Sequence, residues 1–183
     1  MKLLSLIFCL FVYSQEAVHI SDMDTFDEEM YTEHSELEVD TTYILKRVNK
    51  IRARGCRCGN EWVSPSNPVV WNKALETTAH EHAREMSKYR FFSHKSRDGK
   101  NVGQRLDDAG YKWRYAGENI AEGQKDFDEV LYDWIESYTH CKMLMNPKME
   151  EMGVARSGKY WVQHFGTRMP DKTVRKKIYY REG

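Results

Sequence analysis

An alternating segment near the end of the chain constrains the fold most. Residues 160–165 read Tyr-Trp-Val-Gln-His-Phe, and residues 152–156 read Met-Gly-Val-Ala-Arg. Ser157, Gly158 and Lys159 lie between the two segments. Because the second segment alternates and the turn contains glycine, the two segments are predicted to form a β-hairpin. A hairpin needs another layer over its apolar face, which the preceding residues must supply.

The residues before this predicted hairpin contain apolar residues at helical spacing. Ile44, Val48 and Ile51 recur at helical spacing between a predicted cap at Asp40 and a stop at Gly55. Further helices are predicted from residue 72 to about 90, from 101 to 110, and from 126 or 128 to about 139. The proline-containing residues 55–68 are predicted to form a loop. Helices first and strands last indicate an α+β fold with helices packed on an antiparallel sheet.

Composition divides the 183 residues into unlike regions. Residues 1–14 combine a positive start with an apolar run too short to span a bilayer. We predict a signal peptide cut after residue 14 or 17, with a short membrane anchor as the alternative. Residues 15–40 carry ten acidic side chains and no Lys or Arg, which is typical of a disordered arm, either a solvated linker or a pro-segment.

The rest of the chain is basic, with 27 Lys and Arg against 18 Asp and Glu in residues 41–183. We predict one domain over residues 41–170 and a basic tail over residues 171–183. No phosphate-binding glycine motif is present, so the sequence gives no support for a nucleotide or nucleic-acid partner. The predicted localisation is extracellular, with no transmembrane segment after signal cleavage, and the oligomeric state is not indicated.

Three cysteines remain after the predicted cleavage, which removes Cys9. Cys56 and Cys58 are too close in sequence to pair without strain, so we expect Cys141 to pair with one of them. The third thiol is then free or intermolecular. A metal cluster of these cysteines with His140 is the alternative, although it is a poor zinc pattern.

A polar pair marks the candidate site. Glu118 and Asn119 lie between Gly117 and the apolar Ile120, and a buried carboxylate needs a partner. The nearest candidate is His94, which follows two phenylalanines. We predict that His94 and Glu118 share one site. His80 and His82 would point to different helix faces, so we expect no shared metal there and assign His82 to the edge of the core.

Seven motifs occur together in one order. They are Asn49-Lys50-Ile51-Arg52, Val70-Trp71-Asn72-Lys73-Ala74-Leu75, Phe91-Phe92-Ser93-His94, Gly117-Glu118-Asn119-Ile120, Trp134-Ile135-Glu136-Ser137, Asn146-Pro147 with Met152-Gly153-Val154, and Tyr160-Trp161-Val162-Gln163. This order resembles the CAP superfamily of cysteine-rich secretory proteins, antigen 5 and pathogenesis-related-one proteins, also called the SCP domain, with features of its bacterial-type branch. The resemblance implies secretion, an α-β-α sandwich with an antiparallel sheet flanked by helices, and a cleft lined by two histidines and two acids.

The resemblance assigns only two of the four expected cleft residues. His94 matches the first histidine and Glu118 the first acid, whereas Ser137 and Tyr160 stand where the second acid and second histidine are expected. His140 shares a predicted helix face with Ser137, so it is either a substitute imidazole or a residue that orders the helix end. His164 lies on the strand face of Tyr160, and we assign it to packing.

Two classes of function remain open. The first is a secreted binding module for a lipid, sterol or protein partner, with a degenerate His/Glu cleft and no required cofactor. The second is a hydrolase, either with a metal-bound water held by His94, Glu118 and His140 or with a Ser137/His140 nucleophile pair. Because Tyr160 replaces a cleft histidine, we expect weak zinc binding at most, and the binding module is the primary prediction.

Overall fold

Helices begin at polar caps, as the sequence predicts. The structure, a computed structural model, describes residues 40–170, and the predictions for residues 1–39 and 171–183 lie outside the described residues. The helices are α1 (Thr41–Arg54), α2 (Lys73–Tyr89), α3 (Val102–Asp108), α4 (Phe127–Glu136) and α5 (Tyr138–Leu144). The side chains of Asp40, Asn72, Asn101 and Asp126 cap the first four by accepting backbone hydrogen bonds. No helix of these residues is long and apolar enough to cross a membrane.

The strands form one main sheet and one small hairpin. They are β1 (Cys56–Cys58), β2 (Glu61–Val63), β3 (Val70–Trp71), β4 (Trp113–Glu122), β5 (Glu151–Ser157) and β6 (Tyr160–Arg168). The main sheet has the order β3-β5-β6-β4, and its β5–β6 hairpin confirms the predicted one. The short β3 runs parallel to β5, which the sequence did not predict, whereas the other pairs are antiparallel.

Two local predictions are wrong. Residues 56–63 form the β1–β2 hairpin within the predicted loop, because Gly59 adopts a φ of 57° that allows a tight turn. The predicted helix through Thr139 instead ends at Glu136, and Ser137 has an extended backbone with ψ of 121° before α5 begins. The helical spacing that places Ser137 and His140 on one face is therefore interrupted.

The main sheet lies between two helical layers, which confirms the α-β-α sandwich. On one face, α2 packs through Ala79, Ala83 and Met86 against β6. On the other face, α1, α4 and α5 form a larger core with residues such as Val48 and Trp134. Close packing continues on the α2 side, where a Cβ on Gly153 would collide with the backbone of Glu76.

A buried arginine connects the loops around the larger core. Arg52 of α1 donates hydrogen bonds to the carbonyl oxygens of Asn67, Leu144, Asn146 and Met149, at 2.7 to 3.2 Å. Burial lowers the pKa of Arg52 to about 10, so the guanidinium stays charged at neutral pH. One side chain thus fixes the loop before β3, the end of α5 and the residues that lead into β5.

Candidate functional site

The site is built around Glu118 of β4, an edge strand of the main sheet. Its side chain is 2% exposed and accepts three hydrogen bonds. His94 Nδ1 lies 2.7 Å from Oε1, while His164 Nε2 and Arg105 Nη2 lie 2.9 and 2.5 Å from Oε2. The structure therefore joins His94 and Glu118, the pair expected from the sequence, and adds two further donors.

Three elements position these donors. His164 lies on β6 directly opposite Glu118. Arg105 lies on α3 and also donates to the carbonyl oxygen of His94 at 3.2 Å, which holds the loop that carries this histidine. His82 of α2 supports the same loop, because its Nε2–H donates to the Ser93 carbonyl at 2.8 Å. As predicted, His82 is buried in the core, although it also supports the site.

The surrounding donors keep Glu118 ionised. Burial alone would raise its pKa, but the hydrogen bonds from His164 and His94, together with the charge of Arg105, hold the pKa of Glu118 well below its usual range. Burial lowers the pKa of His164. A neutral His164 donates through Nε2–H to Glu118 and accepts at Nδ1 from Thr78 Oγ1, 2.9 Å away, so both ring nitrogens have partners.

His94 differs from His164 because one side of its ring faces solvent. A carboxylate only accepts hydrogen bonds, so the Nδ1 that lies beside Glu118 must carry a proton. In the neutral ring this leaves a lone pair on Nε2. The side chain of His94 is 59% exposed, so an incoming molecule can reach that lone pair. The arrangement is that of a general base oriented by a buried carboxylate.

His140 belongs to α5, which packs on the sheet face opposite that of Glu118. Its carbonyl oxygen accepts from Asn119 Nδ2 at 3.3 Å, and Asn119 points to the sheet face opposite that of Glu118. Burial lowers the pKa of His140, which favours its neutral imidazole. The hydrogen bonds to Glu118 thus come from His94, His164 and Arg105 and not from His140.

The other two cleft candidates are placed differently. Ser137 is the residue between α4 and α5, and its side chain makes no capping hydrogen bond to α5. Tyr160 lies opposite Glu122, four positions along β6 from His164, and stacks on Phe92 with ring centroids 6.5 Å apart. The position on β6 beside Glu118 is therefore occupied by His164 and not by Tyr160, so the assignment of His164 to packing alone is wrong.

The cleft residues form a poor zinc site in this arrangement. Both oxygens of Glu118 already accept hydrogen bonds, and the fixed positive charge of Arg105 opposes a second cation at Oε2. Within residues 40–170, one group of three potential ligand atoms lies within 4.8 Å of one another, and it consists of the sulfurs of Cys56, Cys58 and Cys141. We assign no chemical step to a metal, and weak zinc binding by His94, Glu118 and His140 stays a prediction.

Sequence reasoning missed Arg105 entirely. Arg105 lies on the buried side of a short amphipathic helix, next to Leu106, and its side chain is 9% exposed. An arginine with so little exposure requires hydrogen-bond acceptors, and for Arg105 one of them is the carboxylate of Glu118. The signal available in the sequence is that a buried Glu118 needs a positively charged partner. From the sequence, only His94 is assigned to that role.

Comparison with known proteins identifies the sandwich. A family model described as the cysteine-rich secretory protein family, CAP, matches residues 45–165, which include all four residues joined at Glu118. The uncharacterized protein YkwD of Bacillus subtilis strain 168 is 32% identical over 100 residues, which are 54% of this chain and 39% of YkwD. The uncharacterized membrane protein YlbC of the same strain is 30% identical over 122 residues, 67% of this chain and 33% of YlbC.

A solved structure supports the same assignment. An extracellular protein containing an SCP domain from Bacillus anthracis strain Ames is 29% identical, with a TM-score of 0.61, and the match covers 70% of this chain and 40% of that protein. The chain spans less than half the length of each of these three relatives. With the family model matched across the whole sandwich, the chain belongs to the cysteine-rich secretory protein (CAP) family.

Proposed function

We propose that this protein is a secreted CAP-domain binding module whose ligand is a single-chain anionic lipid such as a fatty acid. The observation that carries the proposal is a cavity of about 350 Å³ between α1 and α4. Ligand cavities of roughly 300 Å³ or more with apolar walls and few polar groups are typical of small-molecule sites. Secretion is supported by the extracellular relative from Bacillus anthracis.

The walls of this cavity match an amphiphile. Ile51, Leu131 and Ile135 supply apolar surface for a hydrocarbon chain. Basic side chains stand at its edge, where Arg47 is paired with Asp128 at 2.8 Å. Within the described part of the chain, Lys50 and Arg54 have no ion-pair partner, so they are available for a carboxylate head group. A neutral sterol would leave both charges unused, which favours the fatty acid.

Calorimetry with laurate tests this proposal. We expect saturable binding to the wild-type protein and a loss of about tenfold in affinity for Arg54→Glu, because one charge-assisted contact contributes roughly 1.5 kcal/mol. The control is Arg84→Glu, which makes the same charge change on the exposed side of α2. Absence of laurate binding to the wild-type protein would rule out the lipid form of the proposal, and an equal loss in both variants would rule out the head-group site.

A second candidate function rests on the geometry of His94. Its Nδ1–H is held by Glu118 and its Nε2 is open to solvent, so it can accept a proton from water during ester hydrolysis. We expect any esterase activity on p-nitrophenyl acetate to be lost in His94→Gln and kept in His80→Gln. Activity that survives His94→Gln would remove this candidate.

A further inference from the structure

Three sulfur atoms meet where β1 contacts α5. Cys58 and Cys141 form a disulfide bond, which settles the pairing that the sequence left open. The remaining thiol, that of Cys56, lies next to this disulfide bond. Its Sγ lies 3.2 Å from Sγ of Cys141 and 3.8 Å from Sγ of Cys58. A free thiol is therefore in direct contact with both atoms of a disulfide.

Strand geometry explains why the two neighbours compete for one partner. Cys56 and Cys58 are two residues apart on β1, so their side chains point to the same face of the strand. That face is turned towards Cys141 of α5. The covalent loops closed by the two possible pairings differ by only two residues, and loop-closure entropy grows slowly with loop length. Chain entropy therefore gives almost no preference between them.

Accessibility distinguishes the three sulfurs. Cys58 and Cys141 are 0% exposed, whereas Cys56 is partly exposed and lines the cavity between α1 and α4. A dissolved reagent can thus reach Cys56 and no other member of the group. In the pairing observed here, the disulfide itself is shielded from thiols in solution.

We propose that these residues form a thiol–disulfide exchange site, in which Cys56 replaces Cys58 as the partner of Cys141 and is the point of attack for low-molecular-weight thiols. The Cys56 thiol gives its proton to water, and the thiolate attacks Sγ of Cys141. The Cys58–Cys141 bond breaks, and Cys58 leaves as a thiolate that takes up a proton. One S–S bond forms and one breaks, so there is no net oxidation or reduction.

The exchange makes a buried disulfide accessible. Once Cys56 is bonded to Cys141, a partly exposed sulfur belongs to the disulfide. A monothiol such as reduced glutathione can then attack Sγ of Cys56, which forms a mixed disulfide there and releases Cys141 as a thiol. A second monothiol attacks the sulfur of its own kind in that mixed disulfide, releases Cys56 as a thiol, and is itself oxidised to the small-molecule disulfide.

Peptide mapping tests the exchange, because trypsin cleaves after Arg54 and Arg57 and so separates the two neighbours. The full chain in a Cys9→Ser background is incubated without denaturant in alkaline buffer, since burial raises the pKa of the Cys56 thiol. It is then quenched in acid, alkylated and digested. We expect residues 126–142 to be linked to residues 58–73 in one population and to residues 55–57 in another. A single linkage at every time point would overturn the exchange.

The entry role of Cys56 has a separate test. Reduction of the disulfide by glutathione under native conditions is followed in Cys56→Ser, with Tyr89→Ser as the control, since Tyr89 is an exposed tyrosine of α2 outside this cavity. We expect loss of detectable reduction in Cys56→Ser and an unchanged rate in Tyr89→Ser. Circular dichroism of both variants checks that they are folded. Reduction of Cys56→Ser at the wild-type rate would overturn the entry role.

Discussion

Glu118 shows how single residues determine the electrostatics of this cleft. A carboxylate with 2% exposure would normally take up a proton, yet donors at both oxygens keep it charged. The same donors place His94 with its Nε2 outward. Arg105 contributes the only permanent positive charge among the three donors and also holds the backbone of His94. One carboxylate thus fixes both the charge and the orientation of the exposed imidazole.

Replacing Glu118 by Gln should destabilise the protein in a pH-dependent way. At neutral pH we expect a loss of about 3 kcal/mol in the free energy of unfolding, because Arg105 would lose its buried counter-charge. Since the folded state lowers the pKa of Glu118, its contribution is complete above the ordinary value of about 4.3 and declines as pH falls below it. Urea denaturation at several pH values between about 3 and 7 measures this difference.

The matched control is Glu122→Gln on the same strand. Glu122 forms an ion pair with Lys159 at the surface, and such pairs contribute about 0 to 1 kcal/mol. We expect a loss of at most about 1 kcal/mol at neutral pH. A wild-type advantage over Glu118→Gln that stays constant down to pH 3 would contradict the assigned ionisation of Glu118.

At the scale of elements, the contact between α2 and β5 depends on the absence of a side chain at Gly153. Gly153 lies under the backbone of Leu75 and Glu76, so any Cβ there would push α2 away from the sheet. We expect Gly153→Ala to lower the free energy of unfolding by roughly 3 kcal/mol, the upper part of the range for overpacking. Chemical denaturation measures the change.

Gly110 provides the comparison for this variant. It has a φ of 73°, but a Cβ there would meet nothing within 4 Å. Gly110→Ala should therefore cost only the backbone strain of about 1 to 2 kcal/mol. Equal losses in both variants would show that close packing at Gly153 is not the cause.

Element starts were the most predictable part of the structure, because a cap is a local signal. Asp40, Asn72 and Asn101 each stand one residue before a helix and accept its free N–H groups. The break at Ser137 was not predictable in this way, since apolar spacing continues through it. The parallel pairing of β3 with β5 depends on contacts between residues about 80 positions apart, and a two-residue strand has no periodic pattern.

The candidate site shows the same difference between local signals and long-range contacts. The family motif located His94 and Glu118, which lie in contiguous, recognisable segments. Arg105 and His164 were missed because their roles arise only when α3 and β6 are brought together at Glu118 of β4. A residue whose function depends on a distant partner leaves no local pattern.

At the scale of the whole molecule, Arg52 links segments that are far apart in sequence. Its four carbonyl partners belong to the loop before β3, the end of α5 and the residues that lead into β5. We expect Arg52→Lys to destabilise the protein by roughly 3 kcal/mol, because an ammonium group cannot replace the planar set of donors and leaves buried carbonyls unpaired. Thermal and urea unfolding measure the loss.

Arg54→Lys is the control for charge and position. It lies two residues further along α1 and is exposed. We expect a change within about 0.5 kcal/mol, as for most surface substitutions. If Arg52→Lys were equally mild, the four carbonyls would have to be satisfied in another way.

The pairing of Glu118 with His164 has a consequence for strand alignment. β6 is buried on both faces from Tyr160 to Thr167, so its apolar residues do not distinguish the correct alignment with β4 from one shifted by a single residue. Such a slip would turn His164 to the opposite face and leave Glu118 without its cross-strand donor. The buried polar pair therefore selects one alignment against competing misfolded pairings, a role in folding specificity that does not depend on any ligand.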